Sequence, residues 1–220
     1  MPRAMSRFRS RATGVALAWC VLVSPCPATA SLAADPSAFL EQTEALRTKD
    51  HPRFVERLQQ IRRESPSLSK PQQWHLRYLD AWETMFEGDY TRSEAQLRDI
   101  IDHSGDVTLA AKASALLLSN LGANRRYDEA FALANRLVDD LPRIDDPLAR
   151  SMLLMNLSQM FNLAGQTDLA IQYAGMMENA VPPGETLCYP FSLRAAALNN
   201  TGRLTSSSPE LTKAIDACVA

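Results

Sequence analysis

The sequence predicts an all-α chain made of antiparallel helical hairpins stacked in a row. Three observations carry that prediction. First, one block of the chain recurs: Arg125 to Pro142, RRYDEAFALANRLVDDLP, returns forty residues later as Gly165 to Pro182, GQTDLAIQYAGMMENAVP. Asp128 matches Asp168, Ala130 matches Ala170, Ala134 matches Ala174 and Pro142 matches Pro182, while Phe131/Ile171, Leu137/Met177 and Leu141/Val181 stay apolar. Second, apolar residues recur at helical spacing, and no stretch alternates with the period of two that a half-buried strand shows. Third, Gly88, Gly122, Gly165 and Gly202, spaced by 34, 43 and 37 residues, each follow the first helix of a pair. A left-handed residue is wanted there, and glycine takes that conformation without a Cβ penalty.

A small residue where helices touch, an apolar stripe and a closing proline describe the second helix of a tetratricopeptide (TPR) hairpin, whose repeat is about 34 residues. The expected architecture is therefore a TPR-like α-solenoid with loose repeats over residues 69–220. Residues 31–68 read as an N-terminal helical pair, either a degenerate first repeat or a cap.

Element by element, Asp35-Pro36 opens the first helix, with Asp as N-cap and Pro at its first position. Pro52 starts a second, whose Phe54, Leu58 and Ile61 share a face. Ser69 and Gln72 form a capping-box signal for a helix to about Glu87. Its Trp74, Tyr78, Ala81, Trp82 and Met85 line one face. Helices follow over about 91–103, 107–121 (ended by Gly122), the first repeated block, 147–164 (capped by Asp146 and ended by Gly165), the second block up to Pro182-Pro183-Gly184, and 190–200. Ser208-Pro209 is expected to cap the last one.

The chain has 220 residues and a formal charge of −2. Residues 1–30 hold Arg3, Arg7, Arg9 and Arg11 and no acid; without them, 19 Lys+Arg face 25 Asp+Glu. A mildly acidic remainder with no basic stripe argues against a nucleic-acid partner. Those arginines, the short apolar run Val15 to Val23, Pro25 and Pro27, and then Ala28-Thr29-Ala30 read as an export signal cleaved near Ala30. An uncleaved anchor is the alternative. The mature protein is then expected in the periplasm. Its two cysteines, Cys188 and Cys218, stand just before one helix and late in the next, antiparallel one, so a disulfide and two separate buried thiols both fit.

Chemistry-bearing motifs are absent. The sequence has no Gly-rich phosphate loop, HExxH, CxxC or nucleophile elbow, so neither an enzyme nor a cofactor site is expected. Asp99, Asp102 and His103 read as a solvated helix end, and Glu83 and Glu87 as a wet helix face. Repeat arrays bind extended ligands on the inner face of their first helices. With the glycines as register, Trp82, Asn120, Asn162, Asn199 and Asn200 fall late on that face, and a row of asparagines could hydrogen-bond a peptide backbone. Against this, Trp82 with Trp74 and Tyr78 also fits a core, and Asn is common near helix ends. Met152, Met155, Met160, Met176 and Met177 read as adaptable core.

FLEQTEALRTKDHPRF, QQWHLRYLDAWETMFEGDY, ALLLSNLGANRRYDEAFALANRL, LLMNLSQMFNLAGQTDLAIQYA, PPGETLCYP and GRLTSSSPEL together resemble the exported TPR-like region of membrane-bound GGDEF proteins, diguanylate cyclases of proteobacteria. The resemblance covers residues 38–220. It implies a sensory module that binds a periplasmic peptide, protein or small molecule, followed by a transmembrane helix and a cytoplasmic cyclase that makes cyclic di-GMP. The sequence carries no GGDEF-type motif and no second hydrophobic span, so no catalytic residue transfers. LTKAIDACVA ends inside an expected helix, which reads as a fragment or a prematurely ended reading frame. A free-standing periplasmic scaffold, with a homodimer as one arrangement, is the alternative.

Overall fold

The computed structural model describes residues 35–181 and 186–219. The export-signal segment 1–30 and the Pro182-Pro183-Gly184 stop lie outside the described residues. Those described are helical, with no strand among them, in the order α1 (Pro36–Leu46), α2 (His51–Glu64), α3 (Lys70–Phe86), α4 (Tyr90–His103), α5 (Val107–Ala123), α6 (Tyr127–Asp140), α7 (Pro147–Leu163), α8 (Thr167–Glu178), α9 (Cys188–Asn200) and α10 (Leu204–Val219). Short 3-10 turns at Ser65–Ser67 and Leu141–Arg143 close α2 and α6.

The starts are locally encoded. Asp35, Asp50, Asp89, Asp106 and Asp146 each accept a backbone N–H three residues on, at 2.7–3.2 Å, which satisfies one of the orphan donors of a helix N-terminus. Ser69 N donates to Gln72 Oε1 at 2.9 Å, as the capping box requires.

The helices pack as neighbouring pairs: α1 with α2, α3 with α4, α5 with α6, α7 with α8 and α9 with α10. First helices of successive pairs lie side by side, α1 on α3, α3 on α5, α5 on α7 and α7 on α9. Each pair thus buries its apolar face against the next, around a core that runs from Leu40, Phe54 and Leu58 through Leu97, Leu117 and Leu121 to Leu153, Leu157 and Ala174.

One turn recurs between the helices of four pairs. Gly88, Arg125, Gly165 and Gly202 have φ of 90°, 58°, 72° and 73°. In each case the next residue's N–H reaches back five residues: Asp89 to Thr84, Arg126 to Leu121, Gln166 to Phe161 and Arg203 to Leu198, at 2.8–3.0 Å. This is the Schellman closure of a helix C-terminus. It corrects the register expected from the glycines. Gly122 is not the left-handed residue; it lies inside α5, buried, with Met160 Sδ 3.7 Å from where a Cβ would sit. Arg125 takes the turn instead, so the turn residues stand 37, 40 and 37 apart, closer to a constant period than the glycines.

A set of substitutions separates the two registers. Gly122→Ala places a methyl in ordinary contact inside a helix and should raise stability by about 0.5–1 kcal/mol. Arg125→Gly should raise it by about 1 kcal/mol, because an L-residue is penalised at positive φ. Gly165→Ala should lower it by a similar amount, roughly 1 kcal/mol. Thermal melts of the three variants read these signs directly, and a lower Tm for Gly122→Ala would restore the glycine register.

Counted from the turn residue, the contact within a pair repeats as well. Ser93 Oγ on α4 donates to Ala81 O on α3 at 2.8 Å, and Ser158 Oγ on α7 donates to Ala170 O on α8 at 2.8 Å. These are the same two positions with serine and alanine exchanged. All four residues are fully buried, so the backbones approach closely there. Ala170→Leu should overpack this contact and cost about 1–3 kcal/mol, visible as a lower Tm.

The last helix also departs from expectation. Ser208-Pro209 does not cap it; α10 begins at Leu204, directly after the Gly202 turn, and runs through Pro209. The turn delivers the backbone into helical geometry, and Thr205, whose carbonyl loses its partner to Pro209, is exposed.

Candidate functional site

The densest polar cluster lies on the first helices, where the last turn of α1 crosses them. α1 starts beside α3, with Gln72 Nε2 donating to Ser37 Oγ at 3.0 Å, and its end tilts across α5 towards α7. Glu44 is 5% exposed. Its carboxylate accepts from His75 Nε2 at 2.8 Å and from Lys112 Nζ at 3.1 Å on both oxygens, with Arg47 Nη1 at 3.8 Å. Arg47 in turn donates to the Tyr78 hydroxyl and, through Nη2, to Met152 Sδ at 3.3 Å. Residues from α1, α3, α5 and α7 are thereby joined.

Electrostatics follow from this geometry. Burial pushes the Glu44 carboxyl up, but the His75 hydrogen bond and the charges of Lys112 and Arg47 outweigh it and hold the group at about 2. Burial pushes the Tyr78 hydroxyl up to about 12, even with Arg47 beside it, so it stays neutral and accepts the guanidinium hydrogen bond. Burial works against the Arg47 charge, but Tyr78 and Glu44 more than restore it.

His75, Lys112, Met152 and Tyr189 each stand thirteen residues before the turn residues Gly88, Arg125, Gly165 and Gly202. They are one position repeated along α3, α5, α7 and α9. The first two are largely buried under Glu44, and Tyr189, at the far end, is 54% exposed. What this row can do chemically is hold an anionic group at one end and an apolar or aromatic one at the other.

The expected site residues are dispersed by the corrected register. Asn120 is fully buried; its Nδ2 donates to Tyr90 O at 3.0 Å and its Oδ1 accepts from Asn124. It ties α5 to the start of α4, and its amide is not offered to a ligand. Asn162 and Asn199 are equivalent, three residues before their turns. Asn200 Nδ2 donates to Asn162 Oδ1 at 3.2 Å, and both Asn199 and Asn200 are exposed. Trp82 is 9% exposed and packs α3 onto α2, with Phe54 edge-on at 5.2 Å, Phe86 stacked at 5.3 Å and His51 at 5.9 Å. His51 Nε2 also reaches buried Glu83 at 2.9 Å. Met160 and Met177 are core, Met152 and Met155 pack against it, and Met176 is exposed. Cys188 and Cys218 are joined as a disulfide, with Cα atoms 4.7 Å apart.

Asp99 and His103 pair on the exposed end of α4. Among the described residues, no three His, Cys, Asp or Glu side chains converge as a metal-ion set, and no described helix is long and apolar enough to cross a membrane. Comparison with protein-family models, with curated proteins and with solved structures returned no match.

Proposed function

We propose that this chain is a periplasmic, TPR-like ligand- or protein-binding module that acts as the sensory input of a membrane-bound diguanylate cyclase, and that it has no catalysis of its own. The observation that carries the binding part of the reading is the repeated position His75, Lys112, Met152 and Tyr189, which sets a row of different chemistries along adjacent first helices; the cyclase link rests on the sequence resemblance alone. A row of this kind suits recognition of an extended ligand on the inner face of a repeat stack. Ligand binding would bias how the pairs stack, and a downstream segment would carry that change across the membrane. The export-like first thirty residues and the Cys188–Cys218 disulfide support an oxidising compartment. The deciding experiment reads the DNA that follows codon 220. A transmembrane helix and a GGDEF motif are expected there, and their absence from every frame would remove the link to cyclic di-GMP.

A second reading, a free-standing periplasmic scaffold, draws on α10. Leu97, Ala134 and Ala174, nine residues after their turns, are wholly buried, whereas the equivalent Leu211 is 53% exposed and Ile215 beside it 55%. Such a stripe serves a protein partner, and a homodimer is one way to cover it. Sedimentation of residues 31–220 tests the homodimer arrangement: a monomer across the micromolar range excludes it.

A further inference from the structure

The Glu44 carboxylate sits in a seat that its own helix pair does not build. Two of its three hydrogen-bonding or charged neighbours, His75 and Lys112, belong to α3 and α5, and they occupy the same repeat position in consecutive pairs. The stacking of α3 on α5, which does not pass through α1, sets their separation. α1 itself is short, eleven residues, and its buried apolar anchors Phe39 and Leu40 lie in its first half. Its last turn holds on mainly through polar contacts, Glu44 to His75 and Lys112 and Arg47 to Tyr78 and Met152, with half-buried Leu46 as its one apolar contact with the core. Beyond half-buried Met152, which Arg47 touches, the row ends at Tyr189, 54% exposed.

We propose that the His75–Lys112 seat is a carboxylate-binding site for an external ligand, and that Glu44 fills it in cis when the ligand is absent. The ligand is an acidic peptide, whose carboxylate replaces that of Glu44 while neighbouring side chains run over Met152 towards Tyr189. The inference rests on the inner-face reading above and adds to it the chemistry of the ligand and an internal competitor. Competition sets what the ligand needs. A group tethered by a short linker acts at an effective concentration on the order of millimolar, so a small carboxylate alone does not dislodge Glu44. A peptide that also contacts the open end of the row does.

The test uses the full chain carrying Glu44→Gln, which keeps the shape of the side chain and removes its charge. Sodium acetate is titrated at constant ionic strength against sodium chloride, and Tm is read by circular dichroism. Acetate should raise the Tm of Glu44→Gln by several degrees in a saturable way. It should leave the wild type and the double variant Glu44→Gln/Lys112→Met unmoved. If Glu44→Gln is unfolded in chloride, its refolding in acetate is the expected result. No difference between acetate and chloride, or an equal shift in the wild type, overturns the site. A second arm adds a fluorescein-labelled peptide of residues 35–50 to Glu44→Gln. Binding at least tenfold tighter than that of the same peptide with Gln at position 44 assigns the seat to peptide carboxylates. Acetate rescue without that preference overturns the peptide and leaves a free carboxylic acid as ligand. Failure of these arms leaves the sensory reading to be decided by the downstream DNA, and absence of a cyclase there leaves the carboxylate seat intact.

Discussion

Glu44→Gln should be among the most destabilising single substitutions in the chain, at about 3–5 kcal/mol, the cost of breaking a buried ion pair by removing one partner. Three groups, His75, Lys112 and Arg47, would then crowd a partly dehydrated space with no anion among them. Lys112→Met should cost less, because His75 and Arg47 still face Glu44. The two changes together should cost less than their sum, with a coupling of roughly 0.5–3 kcal/mol in a double-mutant cycle. Chemical denaturation of the four proteins measures it, and strict additivity would show that Lys112 and Glu44 do not interact.

The same cluster sets the acid response. Glu44 is held at about 2 in the folded chain, below the ordinary carboxylate range it has when unfolded. A depressed folded value means that the unfolded state takes up the proton first. The contribution is therefore complete above the ordinary carboxylate value near 4.5 and is lost as pH falls from there towards about 2. A wild-type denaturation midpoint that falls through this window, with a shallower slope in Glu44→Gln, is the expected pair of curves. Parallel curves would remove Glu44 as a source of acid sensitivity.

Local signals in the sequence were legible and distant ones were not. Asp35, Asp146 and the Ser69/Gln72 pair mark their helix starts because capping is decided within three residues. The duplicated block aligned Arg125 with Gly165, and the backbone places both at positive φ. Gly122 misled because glycine identity is only a proxy for left-handed backbone: at that position the missing Cβ faces Met160 across the α5–α7 contact. The asparagine row inherited the error: counted from the true turn residues, Asn120 is two residues out of step with Asn162. The Glu44 cluster was hidden by distance. Glu44 and Lys112 are 68 residues apart and Arg47 and Met152 are 105 apart, and each looks like an ordinary polar or apolar residue on its own helix. The recoverable signal was the common offset of His75 and Lys112 from their turns, and it appears only once Arg125 is counted as a turn residue.

Reduction of the Cys188–Cys218 disulfide should destabilise the last pair by about 3–4 kcal/mol, the chain-entropy value for a loop of 30 residues. The rest of α10 explains why the bond matters. Its described buried residues are only Glu210 and Ala214, while Leu211, Ile215 and Val219 face outward. Arg194 on α9 links it to the preceding pair, at 3.2 Å to both Glu210 and Glu178, but an ion pair with a quarter of the arginine still exposed adds little. Thr186 Oγ1 donates to Ala217 O beside the bridge, and this contact depends on the bridge to hold the α10 end in place. Because each pair in a stack rests on its neighbours, loss of the terminal pair should propagate only weakly. Melting with and without reductant, or of Cys188→Ser/Cys218→Ser, should therefore show an early transition confined to α9 and α10, with hydrogen exchange of α3–α7 unchanged. Two unlinked thiols would give no response to reductant. A single transition shifted as a whole would mean that α9, through Leu193, Ala195 and Ala197, couples the last pair to the core strongly enough to pass the loss on.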